Sequence, residues 1–195
     1  MKLVIFGRDG VLNRYRDDHV KSPQEWEPIP GALRAVARLN HAGWHAVVAT
    51  NQAGIGRGMI DMASMNAIHA QMQRLALAEG GRFDAVFFCP HAPQDGCGCR
   101  KPMPGLMLDI ATRFGVDLRR VPMVGDTLRD LQAAQAAGCE PHLVRSGRAV
   151  GLDDAQCRQI LGQVPQARFH DSLDAFAGHL LAREESPAAA AGGAR

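Results

Sequence analysis

Short, mostly apolar runs recur along the chain at residues 3–6, 44–49, 84–88, 121–124 and 142–144. Leu3, Val4, Ile5 and Phe6 form an unbroken run, which suits a strand buried on both faces of a parallel sheet. Between these runs lie segments with helical signals. Residues 31–42 turn Leu33, Val36 and Ala37 to one side and stop at Gly43. Asp61 can cap a helix that runs to about residue 79 and carries Met65, Ile68, Met72 and Leu75 at helical spacing. That stripe reads as core packing, with His69 beside it as a structural or surface residue. Residues 104–114 have proline near the start and Gly115 just past the end. Further helices are predicted from Thr127 to Gly138 and over residues 172–181. Strands alternating with helices predict an α/β fold, a doubly wound, Rossmann-like parallel sheet with helices on both faces. One domain over residues 1–183 is expected, followed by an Ala/Gly/Pro-rich, disordered tail over 184–195. Residues 14–30, rich in charge and proline, form a long connection that either covers a site or lies solvated on the surface.

Composition narrows the class. The 195 residues are 46% hydrophobic and 22% charged, ordinary for a soluble globular protein. A net charge of +2 gives no basic surface for nucleic acid, and no apolar run reaches membrane-spanning length. The N-terminus enters a strand at once, without the apolar core of a signal peptide. A cytoplasmic, monomeric protein with a small-molecule ligand is the expectation.

The chemistry sits at strand ends, where open α/β sheets place their ligands. Asp9 follows the first strand and Asp126 the fourth; if those strands are neighbours, the two residues converge. Hard oxygen donors at one spot suit Mg²⁺ together with a substrate phosphate. Thr50 and Asn51 follow the second strand and offer hydroxyl, amide and backbone N–H groups to phosphate oxygens. Lys101 adds a point charge and Arg100 a bidentate fork. The set describes a site for a metal and a phosphoryl group.

The five cysteines do not form a disulfide framework. Cys89, His91, Cys97 and Cys99 have the spacing of a closed, structural Zn²⁺ shell of three thiolates and one imidazole. Cys99 leads directly into Arg100 and Lys101, so the ion would brace the segment that presents both cations. Cys139 and Cys157 stand alone.

Asp9-Gly10-Val11-Leu12-Asn13, Thr50-Asn51-Gln52-Ala53-Gly54-Ile55, the Cys/His loop, Arg100-Lys101-Pro102 and Val124-Gly125-Asp126 together resemble the haloacid-dehalogenase-type phosphatases. Within them the chain resembles the group acting on D-glycero-D-manno-heptose 1,7-bisphosphate, on the strength of Gly54-Ile55-Gly56-Arg57-Gly58; the histidinol-phosphate phosphatases have a similar zinc loop. The resemblance implies a cap-less fold and removal of the 7-phosphate through an aspartyl-phosphate, a step towards lipopolysaccharide core precursors. It makes Asp9 the acid/base that serves the leaving oxygen, with its backbone carbonyl on Mg²⁺. It makes Asp126 the metal carboxylate and gives Thr50 and Lys101 the transferring phosphoryl group. It places Arg8, Asn51, Gln52, Gly54, Arg57, Arg100 and Thr127 on the substrate. Asp130 either supports the metal site or lies on a helix surface.

The chain departs from that pattern at Gly7, where the family's nucleophilic aspartate belongs. Glycine supplies neither a nucleophile nor a metal ligand. Three readings follow: a changed copy of an intact enzyme, a non-catalytic relative that binds phosphorylated ligands, or direct attack by water with Asp9 as base. A tight turn needing glycine's conformational freedom is a structural reason for the same residue.

Overall fold

The structure is a computed structural model and describes residues 1–185. The strands are β1 (Lys2–Phe6), β2 (Trp44–Asn51), β3 (Ala85–Cys89), β4 (Pro122–Gly125), β5 (Glu140–Val144) and β6 (Arg168–His170). The helices are α1 (Ala32–His41), α2 (Ala53–Gly56), α3 (Met62–Ala78), α4 (Gly105–Phe114), α5 (Leu128–Ala137), α6 (Asp154–Gln163) and α7 (Leu173–Glu185). All six strands pair in parallel in the order β3-β2-β1-β4-β5-β6. The order reverses between β1 and β4, which pair through Ile5↔Met123 and Phe6↔Val124. Asp9 and Asp126 therefore stand side by side at the switch point, where such sheets bind ligands.

The first strand shows why its sequence is uniformly apolar. Val4 and Phe6 pack into one core, formed with α1, α3 and α7, while Leu3 and Ile5 pack into the other, formed with α4 and α5. Met65, Ile68 and Met72 are buried as the helical spacing predicts, and Asp61 accepts a cap bond from the Ser64 N–H (2.7 Å).

Three expectations need correction. Residues 154–163 and 168–170 form a helix and an edge strand with no counterpart in the sequence pattern. The helix buries only Cys157 and so lacks an apolar stripe, and the strand is three residues long. The second strand continues through Thr50 and Asn51, which still pair with Phe88 and Cys89. Glu184 and Glu185 belong to α7, and Glu184 pairs with Lys2 at 2.8 Å; the rest of the expected tail, 186–195, lies outside the described residues.

Residues 14–30 are not a solvated loop. Val20 and Trp26 are buried in the core, and Arg14 N–H and Ile29 N–H bond to Glu27 and Leu12 carbonyls (2.8 and 2.9 Å). These anchors hold the segment over the carboxyl end of the sheet.

A cluster of imidazoles joins β5, β6 and α7. His142 Nδ1 and His170 Nε2 are 2.9 Å apart, and His179 packs against both rings. Glu140, Arg168 and Arg183 are the charged groups around it. Burial holds all three histidines below their ordinary value, His170 down to about 4. Unfolding therefore takes up protons as pH falls below about 6.5, and the fold loses stability through that window down to about 4. Thermal melts should show Tm several degrees lower at pH 5 than at pH 7, with the difference shrinking in His170→Phe. An unchanged difference in that variant counts against the cluster as the cause.

Candidate active site

The first strand ends at Phe6, and the turn after it places Asp9 beneath the strand ends. Asp9 is heavily engaged. Arg8 Nη2 donates to both carboxylate oxygens (3.1 and 3.0 Å), Asn13 Nδ2 to Oδ1 (3.0 Å) and Gln52 Nε2 to Oδ2 (2.8 Å). Burial alone would raise this carboxyl, but the charge of Arg8 and these hydrogen bonds outweigh it and hold Asp9 below the ordinary carboxylate value.

Asp126 sits against the same turn. A Cβ built on Gly10, at φ +83°, would lie 2.1 Å from Asp126 Oδ2, so the close approach requires glycine. The backbone N–H of Arg148 donates to that oxygen (2.8 Å), and Ser146 Oγ donates to the Gly10 carbonyl (2.6 Å). Burial and the neighbouring Asp130 push Asp126 up to about 7. A buried carboxylate held by one backbone N–H, with no ion pair among the described residues, fits a hard divalent cation.

Lys101 is buried, with Nζ 2.6 Å from Asp130 Oδ1 and 2.8 Å from the Ala49 carbonyl. Asp130 is thereby given a definite place: it is buried, accepts from Thr127 Oγ1 (2.7 Å), and is held low by Lys101 against the upward push of burial. Asn51 clamps the same segment, exchanging two 3.0 Å bonds with the backbone of Lys101.

A solvent-open cavity of about 120 Å³ lies over these groups and is lined by Asp9, Asn51, Arg100, Lys101, Asp126 and Thr127 among others. Several residues expected on the substrate do not line it. Arg8 is fully buried, its guanidinium spent on Asp9, Met65 Sδ (3.3 Å) and His69 Nε2 (3.2 Å). Gln52 is buried and bridges Asp9 to Thr50 Oγ1 (2.8 Å). Gly54 packs on Ile60, where a Cβ would fall at 2.8 Å, and Arg57 is exposed outside the rim. Thr127 caps α5 through Asp130 as well as lining the cavity. His69, placed at the surface or in the structure by its spacing, supports Arg8 and through it Asp9.

Tyr15, Arg16, His19, Arg129 and Arg148 also line the cavity, and no motif marks them. The length of the 14–30 connection hints at the first three. Arg148 stacks its guanidinium 4.1 Å over the Tyr15 ring, closing one side.

Gly7 is buried, and its N–H donates to the Val124 carbonyl (2.9 Å). It is not among the positive-φ glycines, so the turn does not demand glycine there. A Cβ would meet Val11 Cγ2 at 3.0 Å and the Val124 carbonyl at 3.6 Å.

The Cys/His loop forms a compact cluster. Cys89 Sγ is 3.5 Å from His91 Nδ1 and 3.6 Å from Cys97 Sγ; Cys99 Sγ is 3.3 Å from His91 Nδ1 and 3.5 Å from Cys97 Sγ. All four ligand atoms lie within 4.8 Å of one another. A tetrahedron with Zn–S of about 2.3 Å has edges of about 3.8 Å. The donor set therefore fits Zn²⁺, and the sulfurs are too far apart for a disulfide.

The comparisons with known proteins agree with this geometry. The HAD-hydrolase-like profile matches residues 98–173. The D-glycero-beta-D-manno-heptose-1,7-bisphosphate 7-phosphatase of Bordetella bronchiseptica is 58% identical over 184 residues, covering 93% of this chain and 98% of that protein. The protein of the same name from Pseudomonas aeruginosa is 48% identical over 180 residues, 92% and 97% of the two chains. The crystal structure of D,D-heptose 1,7-bisphosphate phosphatase from B. bronchiseptica, complexed with magnesium and phosphate, superposes with TM-score 0.86 at 51% identity, covering 95% of this chain and 100% of that one. A six-stranded parallel sheet switching at Asp9 and Asp126, with identity of this extent across nearly the whole length, shows that the chain belongs to the D-glycero-D-manno-heptose-1,7-bisphosphate 7-phosphatase family of HAD-like hydrolases.

Proposed function

We propose that this chain binds the 7-phosphate of D,D-heptose 1,7-bisphosphate over Asp9, Lys101 and Asp126, and that the β anomer is its ligand. The convergence of Asp9 and Asp126 at the β1/β4 switch point, under a cavity that Lys101 also lines, carries the reading. The names of the relatives supply the sugar and the anomer.

In this reading the Asp126 carboxylate and the Asp9 backbone carbonyl would hold Mg²⁺, which would supply charge neutralisation to phosphoryl oxygens. With an aspartate at position 7 to form the new bond to phosphorus, Asp9 is placed to give a proton to the leaving sugar oxygen and then to take one from the water that cleaves the aspartyl-phosphate. Arg8, Asn13 and Gln52 fix where its carboxylate points. Lys101, held straight by Asp130 and the Ala49 carbonyl, meets the charge that builds on the phosphoryl group. Thr50 reaches the site through Gln52, and Asn51 sets the height of the Lys101 segment. Cys89, His91, Cys97 and Cys99 would hold Zn²⁺ and so anchor the other end of that segment.

Gly7 favours a second reading, a protein that binds the sugar phosphate without turnover, because the position expected to attack phosphorus has no side chain. Phosphate release is measured with Mg²⁺ for Gly7→Asp on heptose 1,7-bisphosphate and on histidinol phosphate. The expected result is kcat/KM at least about 100-fold higher on the bisphosphate, the order of discrimination that unfilled polar contacts impose. A preference for histidinol phosphate would overturn the substrate assignment.

A further inference from the structure

We propose that Arg129, with Arg100, forms a second phosphate seat in the groove beside the catalytic cavity, and that this seat selects a bisphosphorylated sugar over a monophosphate. The inference rests on the function proposed above. A groove of about 410 Å³ runs from the catalytic cavity along the zinc loop, with Pro93, Cys97 and Met103 in its walls. The two spaces share Arg100, Lys101 and Arg129. These three cations therefore stand where one ligand would pass from the first space to the second.

Their charges are not equally spoken for. Lys101 is neutralised by Asp130 at 2.6 Å. Among the described residues Arg100 has one hydrogen bond, from Nη1 to the His91 carbonyl (3.3 Å), and no ion pair. Arg129 has neither hydrogen bond nor ion pair among the described residues, while Arg16 on the same cavity is paired with Asp18 at 3.1 Å. The acids of the site, Asp9, Asp126 and Asp130, line the catalytic cavity and are absent from the groove walls. Two guanidiniums from different elements thus face a groove with no carboxylate in its walls.

Arg129 is also misplaced by local rules. It occupies the first turn of α5, three residues after Asp126, where a cation opposes the helix macrodipole. A residue that breaks a local preference without a local partner points to an external one. A phosphate dianion fits, since each guanidinium offers a planar fork to its oxygens. With one phosphate over Asp126 and Lys101, a second on the same sugar reaches Arg100 and Arg129, and a monophosphate leaves them empty.

Calorimetric titrations with Mg²⁺ test this on the chain as it stands, which has no aspartate at position 7 to consume the ligand. The probes are heptose 1,7-bisphosphate, heptose 7-phosphate and inorganic phosphate. The expected result is that Arg129→Ala weakens the bisphosphate about 10- to 100-fold and Arg129→Glu weakens it further. Arg129→Lys keeps part of the affinity, and the two monophosphate probes change less than about twofold, the small effect expected of losing an unengaged surface charge. If Arg129→Ala leaves the bisphosphate unchanged, or weakens all three probes alike, the seat is overturned while the function stands. If the unaltered chain binds neither sugar phosphate more tightly than inorganic phosphate, the proposed function fails and the seat with it.

Discussion

Gly7→Asp is expected to raise phosphate release from heptose 1,7-bisphosphate by a factor on the order of 10⁴ or more, the scale on which loss of a nucleophile silences a hydrolase. The structure makes this change feasible. Gly7 lies outside the left-handed region, so no strain of that kind opposes a side chain. The new Cβ crowds Val11 Cγ2 at 3.0 Å, a contact relieved by a shift of a few tenths of an ångström. That overpacking costs about 1 kcal/mol, or about 3 °C in Tm for a chain of this size. The partners are already in place: Asp9 is oriented by three side chains, Asp126 is buried beside Gly10, and Lys101 is fixed by Asp130. The assay follows phosphate release for both proteins with and without Mg²⁺, alongside their melting curves. A variant that melts within a few degrees of the parent and still releases nothing shows a site that binds without turnover. Equal activity in both would mean that the attacking group is water, with Asp9 as its base.

Removing zinc is expected to have the largest effect on stability. The Cys89–Cys99 loop has little of its own to hold it: one 3₁₀ turn over Pro93–Asp95, and side chains that are mostly half-buried or exposed. What brings Cys89, at the end of β3, to Cys97 and Cys99 is the common ligand set. Without the ion, two or three thiolates would crowd together at 3.5–3.6 Å, so the loop opens or the thiols take up protons. The loss should be at least about 3 kcal/mol, seen as a fall in Tm of about 10 °C. Phenanthroline, which takes zinc and leaves magnesium, and Cys97→Ser should act alike, with about one zinc per chain in the untreated protein by elemental analysis. Phosphate affinity should fall in parallel, because the residue after Cys99 begins the Arg100–Lys101 segment. A chain that holds no zinc and melts unchanged in phenanthroline would refute the metal centre.

The parts of this protein that could be read from the chain are those set by local rules. The apolar run at residues 3–6 marks a strand buried on both faces, and the glycines at 115 and 138, both left-handed, close helices where expected. The Cys/His cluster was legible because four donors in eleven residues leave the chain few other arrangements. Asp9 and Asp126 were legible because a polar residue in the turn that follows a buried strand sits at the sheet's carboxyl edge.

What needed the tertiary structure is the division of labour among the polar residues, since it depends on strand order and helix docking rather than spacing. The family resemblance implied that Arg8 and Gln52 meet the substrate, but folding turns both inward to hold Asp9. It left Asp130 between two roles, and the docking of α5 beside β4 joins it to Lys101, 29 positions away, at 2.6 Å. Tyr15 and Arg148, 133 positions apart, meet only because the order β1-β4-β5 brings the ends of those strands together. The sequence determined which chemical groups the molecule owns and at which end of the sheet they gather. The packed fold decided which of them face a ligand and which spend their charge on one another, because burial leaves a charged group stable only where a partner lies within hydrogen-bond reach.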